Sequence, residues 1–428
     1  MSLKQLIMAA AAVAAIGAEA AVAVSNVVCT QRYPWNGKVD IDYEVFADDP
    51  AADVWVYATG FDKDANVSMG VRAISGDGAN APVKPGKRRM TWDVTADYPG
   101  FNSTAFTVKM TALTGGAPYM VVDLSGGVDA LSYPVSYLSS IPAGGWTDEY
   151  KTTKLVLRLI PPGTFMMGSP SDELGRFNDT YKRNGEDYHK VTLTKPFYVG
   201  IFEMTQKQWE FVMGNNPSKY KGDLRPVEMV SYDIIRGSVN GAAWPTHNQV
   251  DANSFMGRLR SKVNMLFDLP TEAQWEYACR AGTATSLNSG KNLTSMDTCV
   301  NMAEVGRYYR NTGDGKGGYS QHTKVGSYSP NAWELYDMHG NVAEFCIDRW
   351  VLNLGTSSQV DPKGGISGEA RVIRGGDYMN ACYSSYYAGS CRSAFRTPNY
   401  SYGAWGCDVS STSTLKYLGF RVVCLPAE

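Results

Sequence analysis

Val39, Ile41, Tyr43 and Val45 alternate with Asp40, Asp42, Glu44 and Phe46, so one side of this segment is apolar and the other polar until its end. A period of two marks a half-buried strand. Short runs of the same kind follow at 54–58, 69–74, 90–94 and 106–113, separated by Asp, Asn, Gly and Pro clusters such as Gly76-Asp77-Gly78. Strands at this spacing predict an immunoglobulin-like β-sandwich over residues 21–145, with no cluster of catalytic residue types in it. Pro134, Pro142 and Gly144-Gly145 mark a linker, and a second domain, 146–428, opens on the apolar run 155–160. Within it the pattern changes period. In 269–278, Pro270 and Thr271 begin a helix, Glu272 lies in its first turn, and Trp275 and Ala278 share one apolar stripe.

Composition narrows the function classes. A chain of 428 residues implies more than one domain. Its 44% hydrophobic and 19% charged content excludes global disorder. The formal charge of −2 leaves no cationic field for nucleic acid. The four histidines, His189, His247, His322 and His339, are scattered and supply no histidine-rich metal centre.

Lys4, the apolar stretch 6–16 and Ala18-Glu19-Ala20 have the order of a signal peptide over residues 1–20. The apolar stretch is short of the ~20 residues a spanning helix needs, and no later stretch is longer. The expectation is a protein without a membrane span, exported to the periplasm or beyond the cell. Export makes the eight cysteines readable as disulfides.

From Phe165-Met166-Met167-Gly168 and Glu203-Met204-Thr205, through Pro226-Val227-Glu228, Leu269-Pro270-Thr271-Glu272-Ala273-Gln274-Trp275-Glu276-Tyr277-Ala278 and Asp337-Met338-His339-Gly340-Asn341-Val342-Ala343-Glu344, to Arg374-Gly375-Gly376, Cys391-Arg392-Ser393-Ala394-Phe395-Arg396 and Gly419-Phe420-Arg421, the chain resembles the formylglycine-generating enzyme (sulfatase-modifying factor) family. The resemblance implies an α+β, loop-rich, C-type-lectin-like domain after the sandwich. It also implies structural calcium, held by the Asp337 and Glu344 side chains with the Gly340 and Val342 carbonyls. A second calcium matches Asn301 and the Met302 carbonyl, with Asp314 to complete it. Positions the family joins imply a Cys279–Cys424 disulfide; Cys346–Cys391 is the second expected pair, and if Cys382 instead bridges Cys407 no thiol remains to bind metal.

The family activity is oxidation of a cysteine in a sulfatase precursor, with copper(I) between two thiolates, since soft sulfur suits that ion. Cys382 and Cys391 are the candidate catalytic pair. The match is imperfect, because Asn380 stands where the family has its first cysteine. A non-catalytic reading competes, in which Tyr386, Tyr387, Tyr402 and Trp405, set among Ser, Asn, Gly and Ala, form a surface for a protein or peptide ligand, as in diversified variable proteins of this fold. Both readings stay open at this point.

Overall fold

The computed structural model describes residues 22–63, 67–71, 73–79, 81–101, 103, 105–114, 117–176, 185–312, 321–368, 370–379, 387–398 and 414–425. The signal-peptide segment 1–20 lies outside them. Among the described residues no helix is long and apolar enough to cross a membrane.

The chain divides into two compact units. The first runs to Pro118 and takes in Leu138–Ser140; the second comprises Tyr119–Tyr137 and Ile141–Glu428. The division expected at 145/146 thus falls earlier. The cause is the strand Tyr119–Asp123, whose first four side chains are all buried and which pairs antiparallel with Lys154–Ile160. A strand covered on both faces carries no alternation to mark it.

In the first unit, Lys38–Ala47 is the strand its alternation predicts. Val39, Ile41, Tyr43 and Val45 are buried and Phe46 is exposed. One antiparallel sheet has the order Val22–Gln31, Lys38–Ala47, Gly86–Asp93, Ile74–Gly76; the other has Val67–Gly70, Val54–Asp62, Phe106–Thr114. The run at 69–74 therefore serves both sheets rather than forming one strand. Side chains from the two sheets, including Ile41, Val56, Met90, Trp92 and Val108, share one hydrophobic cluster. Trp92 packs edge-on against Tyr98 and Phe106. Each such side chain contributes about 1.5–3 kcal/mol by leaving water. Two antiparallel sheets around a common core are what this unit shows; the immunoglobulin-like connection is taken up below.

The second unit is mixed and loop-rich. A six-stranded sheet runs Leu266–Asp268, Val423–Leu425, Phe197–Gly200, Lys154–Ile160, Tyr119–Asp123, Val135–Leu138, and a four-stranded one runs Arg396–Pro398, Arg371–Arg374, Ala343–Arg349, Leu418–Gly419. The helix Glu272–Arg280 begins at Thr271, whose hydroxyl accepts from the Gln274 N–H while the Gln274 side chain accepts from the Thr271 N–H. This reciprocal cap satisfies two amides that would otherwise lack partners. Trp275 and Ala278 are fully buried, as their stripe requires.

The described cysteines are not cross-linked. Cys279, Cys299, Cys346, Cys391 and Cys424 are buried free thiols and Cys29 is a half-buried one, so neither Cys279–Cys424 nor Cys346–Cys391 forms. Cys279 Sγ instead lies 3.8 Å from the Met338 carbonyl and 3.6 Å from Ser393 Oγ. Cys382 and Cys407 lie outside the described residues.

Buried arginines do the cross-tying. Arg374 donates to Glu276 and to the Ala394 and Phe395 carbonyls. Arg392 forks onto Glu186 at 2.7 and 2.9 Å and reaches Glu173 at 2.6 Å. Arg396 forks onto Glu272 at 2.6 and 2.8 Å. Planar bidentate pairing suits arginine to this role.

Candidate functional site

The segment from Asp337 to Glu344 is a tight loop leading into a strand. Asp337 (φ 56°), Gly340 (φ 76°) and Asn341 (φ 59°) are left-handed. Asp and Asn tolerate that conformation better than other side-chain-bearing residues. At Gly340 a Cβ would lie 2.0 Å from the Arg307 carbonyl oxygen, so only glycine fits.

Three carboxylates gather there. Glu344 is gripped by Arg421, whose Nε lies 3.0 and 2.7 Å from its two oxygens and whose Nη2 lies 2.6 Å from Oε1; Trp275 Nε1 donates to Oε2 at 2.8 Å. Glu203 accepts from Asn341 Nδ2 at 2.5 Å and from the Val342 N–H at 3.0 Å. Asp337 Oδ2 accepts the Gly326 N–H at 2.6 Å, while Oδ1 is buried without a partner.

The electrostatics follow from this crowding. Burial, then the Asp337 and Glu344 charges, push Glu203 well above the ordinary carboxylate range. Burial raises Asp337 to about 6, against the pull of the Gly326 N–H and Arg421. The donor chemistry fits a hard cation at Asp337 Oδ1. Among the described residues, however, no three His, Cys, Asp or Glu side chains converge as a metal cage. A cation at this place would rest on one carboxylate oxygen and main-chain carbonyls, with Glu344 already held by Arg421. Glu203 was missed by the sequence reading as a member of this cluster. Its signal was a charged residue in an apolar run, Phe197 to Met204.

The second expected ion fares differently. Asn301 and Met302 lie in the short helix Val300–Val305, the Asn301 amide donates to the Asn292 carbonyl at 2.8 Å, and the Met302 carbonyl accepts the Gly306 N–H. Asp314 lies outside the described residues.

Of the candidate catalytic pair, Cys382 lies outside the described residues. Cys391 is fully buried, its thiol points to the Tyr387 carbonyl at 3.6 Å, and burial, with the Asp377 charge, pushes its pKa upward. Of the expected ligand surface, Tyr386, Tyr402 and Trp405 lie outside the described residues. Tyr387 is half-buried, stacks on Tyr309 with centroids 4.3 Å apart, and carries the Arg310 guanidinium 4.7 Å from its ring.

The histidines are separately engaged. His339 Nδ1 faces the Cys391 carbonyl at 2.6 Å, Nε2 accepts the Asn288 N–H at 3.0 Å, and burial lowers its pKa to about 4. It is a neutral bridge between loops. His189 Nδ1 lies 2.8 Å from the Asp187 carbonyl, and His247 Nδ1 accepts the Gln249 N–H at 3.3 Å.

Residues 147–424 match the sulfatase-modifying factor enzyme 1-like domain. The formylglycine-generating enzyme of Thermomonospora curvata is 31% identical over 309 residues, 62% of this chain and 92% of that protein. That of Mus musculus is 35% identical over 264 residues, and the match spans 53% of this chain and 66% of that protein's length. The chaperone protein LppX of Paenibacillus barcinonensis is 32% identical over 197 residues, 39% of this chain and 67% of that protein. Among solved structures, Treponema denticola variable protein 1 aligns with a TM-score of 0.47 at 25% identity, over 64% of this chain and 96% of that one. With the domain match covering well over half of its residues, this chain belongs to the sulfatase-modifying factor, or formylglycine-generating enzyme, family.

Proposed function

We propose that the protein is an exported binding protein built on the formylglycine-generating enzyme scaffold, taking a protein or peptide ligand and no longer oxidising cysteine. Cys391 carries this reading. Copper(I) between two cysteines needs two thiols presented to one point, and Cys391 is fully buried with its thiol turned onto the Tyr387 carbonyl. Asn380, at the family's first cysteine position, offers only an amide. Asn380 and the sealed Cys391 therefore do not fit a copper(I) site, and no step is derived through copper.

The ligand surface in this reading comprises Tyr386, Tyr387, Tyr402 and Trp405, and Tyr387 stacks on Tyr309. The first unit is read as an immunoglobulin-like spacer or adhesion module. Calcium is structural, resting on Asp337 Oδ1 with the Gly340 and Val342 carbonyls, and a second ion rests on Asn301 and the Met302 carbonyl.

The test incubates the copper-treated full chain with a peptide containing Cys-x-Pro-x-Arg and looks for formylglycine by mass spectrometry. No aldehyde is expected. Aldehyde formation that disappears in Cys382→Ser or Cys391→Ser would establish turnover on a sulfatase precursor instead.

A further inference from the structure

Glu228 and His322 lie on loops distant in sequence and meet with Oε1 and Nε2 3.3 Å apart, both side chains fully buried. The Tyr220 N–H donates to the same Oε1 at 2.8 Å. Ser218 Oγ accepts the Glu228 N–H at 3.1 Å and donates to the Glu228 carbonyl at 3.3 Å, which holds the glutamate backbone in place. Tyr220 and Tyr378 close over the imidazole edge-on, with centroids 5.8 and 5.7 Å from it and interplanar angles of 74° and 80°. Tyr378 in turn ties two further segments. Its N–H donates to the Asn341 carbonyl at 3.1 Å and its hydroxyl to the Lys416 carbonyl at 3.2 Å.

Two atoms of this cluster have no hydrogen-bond partner, Glu228 Oε2 and His322 Nδ1. A carboxylate oxygen is an acceptor, so the contact with Oε1 places the imidazole proton on Nε2 and leaves Nδ1 a bare lone pair. A second proton, on Nδ1, would be a buried donor without an acceptor, which costs stability. The charges around the ring are Glu228, which favours the imidazolium, and Arg225 and Arg307, which oppose it.

We propose that His322 is an acid-sensitive latch, whose protonation loosens the Tyr220–His322–Tyr378 packing and with it the ties from Tyr378 to Asn341 and Lys416. Burial, the largest influence, lowers the His322 pKa from its ordinary value, in the same sense. A histidine depressed in the fold contributes stability that is present above the unfolded pKa and lost as pH falls.

Hydrogen exchange of the full chain, corrected for intrinsic rates, is compared at about pH 7.5 and about pH 5.5, either side of the ordinary imidazole pKa. Exchange of the Tyr378 amide is expected to rise about fivefold or more in the native protein and to stay level in His322→Gln. Glu228→Gln, which removes the group favouring the imidazolium, should move the rise to lower pH. An equal rise in His322→Gln, no rise in the native protein, or a rise shared by the Gln274 amide at the Thr271 cap would overturn the proposal. Should His322→Gln not fold, the His322 ring resonance of the native protein decides. Titration below the ordinary value, accompanied by the Tyr378 ring signals, supports the latch; titration at or above it, or with Tyr378 unmoved, overturns it.

Discussion

The two units handle charge in opposite ways. In the first, the core is hydrocarbon and the ion pairs lie outside: Arg89–Asp42 has side-chain exposures of 61% and 39%. In the second, Arg421–Glu344 and Arg392–Glu186 are sealed, at 0% and 1% and at 0% and 0%. Exposed pairs add little to stability. Buried pairs need not add much either, but breaking one strands a charge in a medium that cannot solvate it. The sandwich can therefore lose an ion pair cheaply. The loop-rich unit cannot, because its arginines join segments that have little regular hydrogen bonding of their own.

The sharpest way to break this contrast is Arg421→Met, which leaves Glu344 buried with only the Trp275 N–H and should cost about 3–5 kcal/mol in chemical denaturation of the second unit. A loss too small to measure would show that the network is decorative. Acid provides the next largest effect. His339 has a pKa of about 4 in the fold, below its unfolded value, so stability present above the ordinary imidazole pKa should decline by about 3 kcal/mol as pH falls toward 4. Denaturation midpoints followed against pH, with His339→Gln as the flattened control, measure it.

Asp337 acts in the other direction. A carboxyl raised to about 6 is destabilising when ionised, so Asp337→Asn should stabilise the chelator-treated protein at neutral pH by about 1–3 kcal/mol. If calcium binds as proposed, adding it should raise the melting temperature of the native chain and leave that of Asp337→Asn unchanged. A calcium response that survives places the ion elsewhere. Thr271→Ala removes one half of a helix cap and should cost about 1 kcal/mol, seen in the second unit alone. Smallest of all is Arg89→Ala on the sandwich surface, for which the melting midpoint should not move measurably.

Much of the local structure was legible. The alternation from Val39 to Val45 named both the strand and its buried face, and Phe46 was the recognised exception. Thr271 marked the start of its helix. Less legible was the boundary near residue 118, because Tyr119–Asp123 is buried on both faces and resembles any apolar run. The cysteines misled more seriously. The family resemblance and block position suggested pairs, but whether two thiols meet depends on where separate loops come to rest.

What the sequence determined by itself was the family, the alternating strands, the helix caps and the glycine turns, since each depends on side chains within a few positions of one another or on the order of matched blocks. The tertiary structure alone decided that Glu203, Asp337 and Glu344 share one buried site with Arg421, that Cys391 is a sealed thiol, and that His322 meets Glu228. Those outcomes arise from long-range closure of the chain, where burial strengthens every charge interaction and no local pattern records which partners will be brought together.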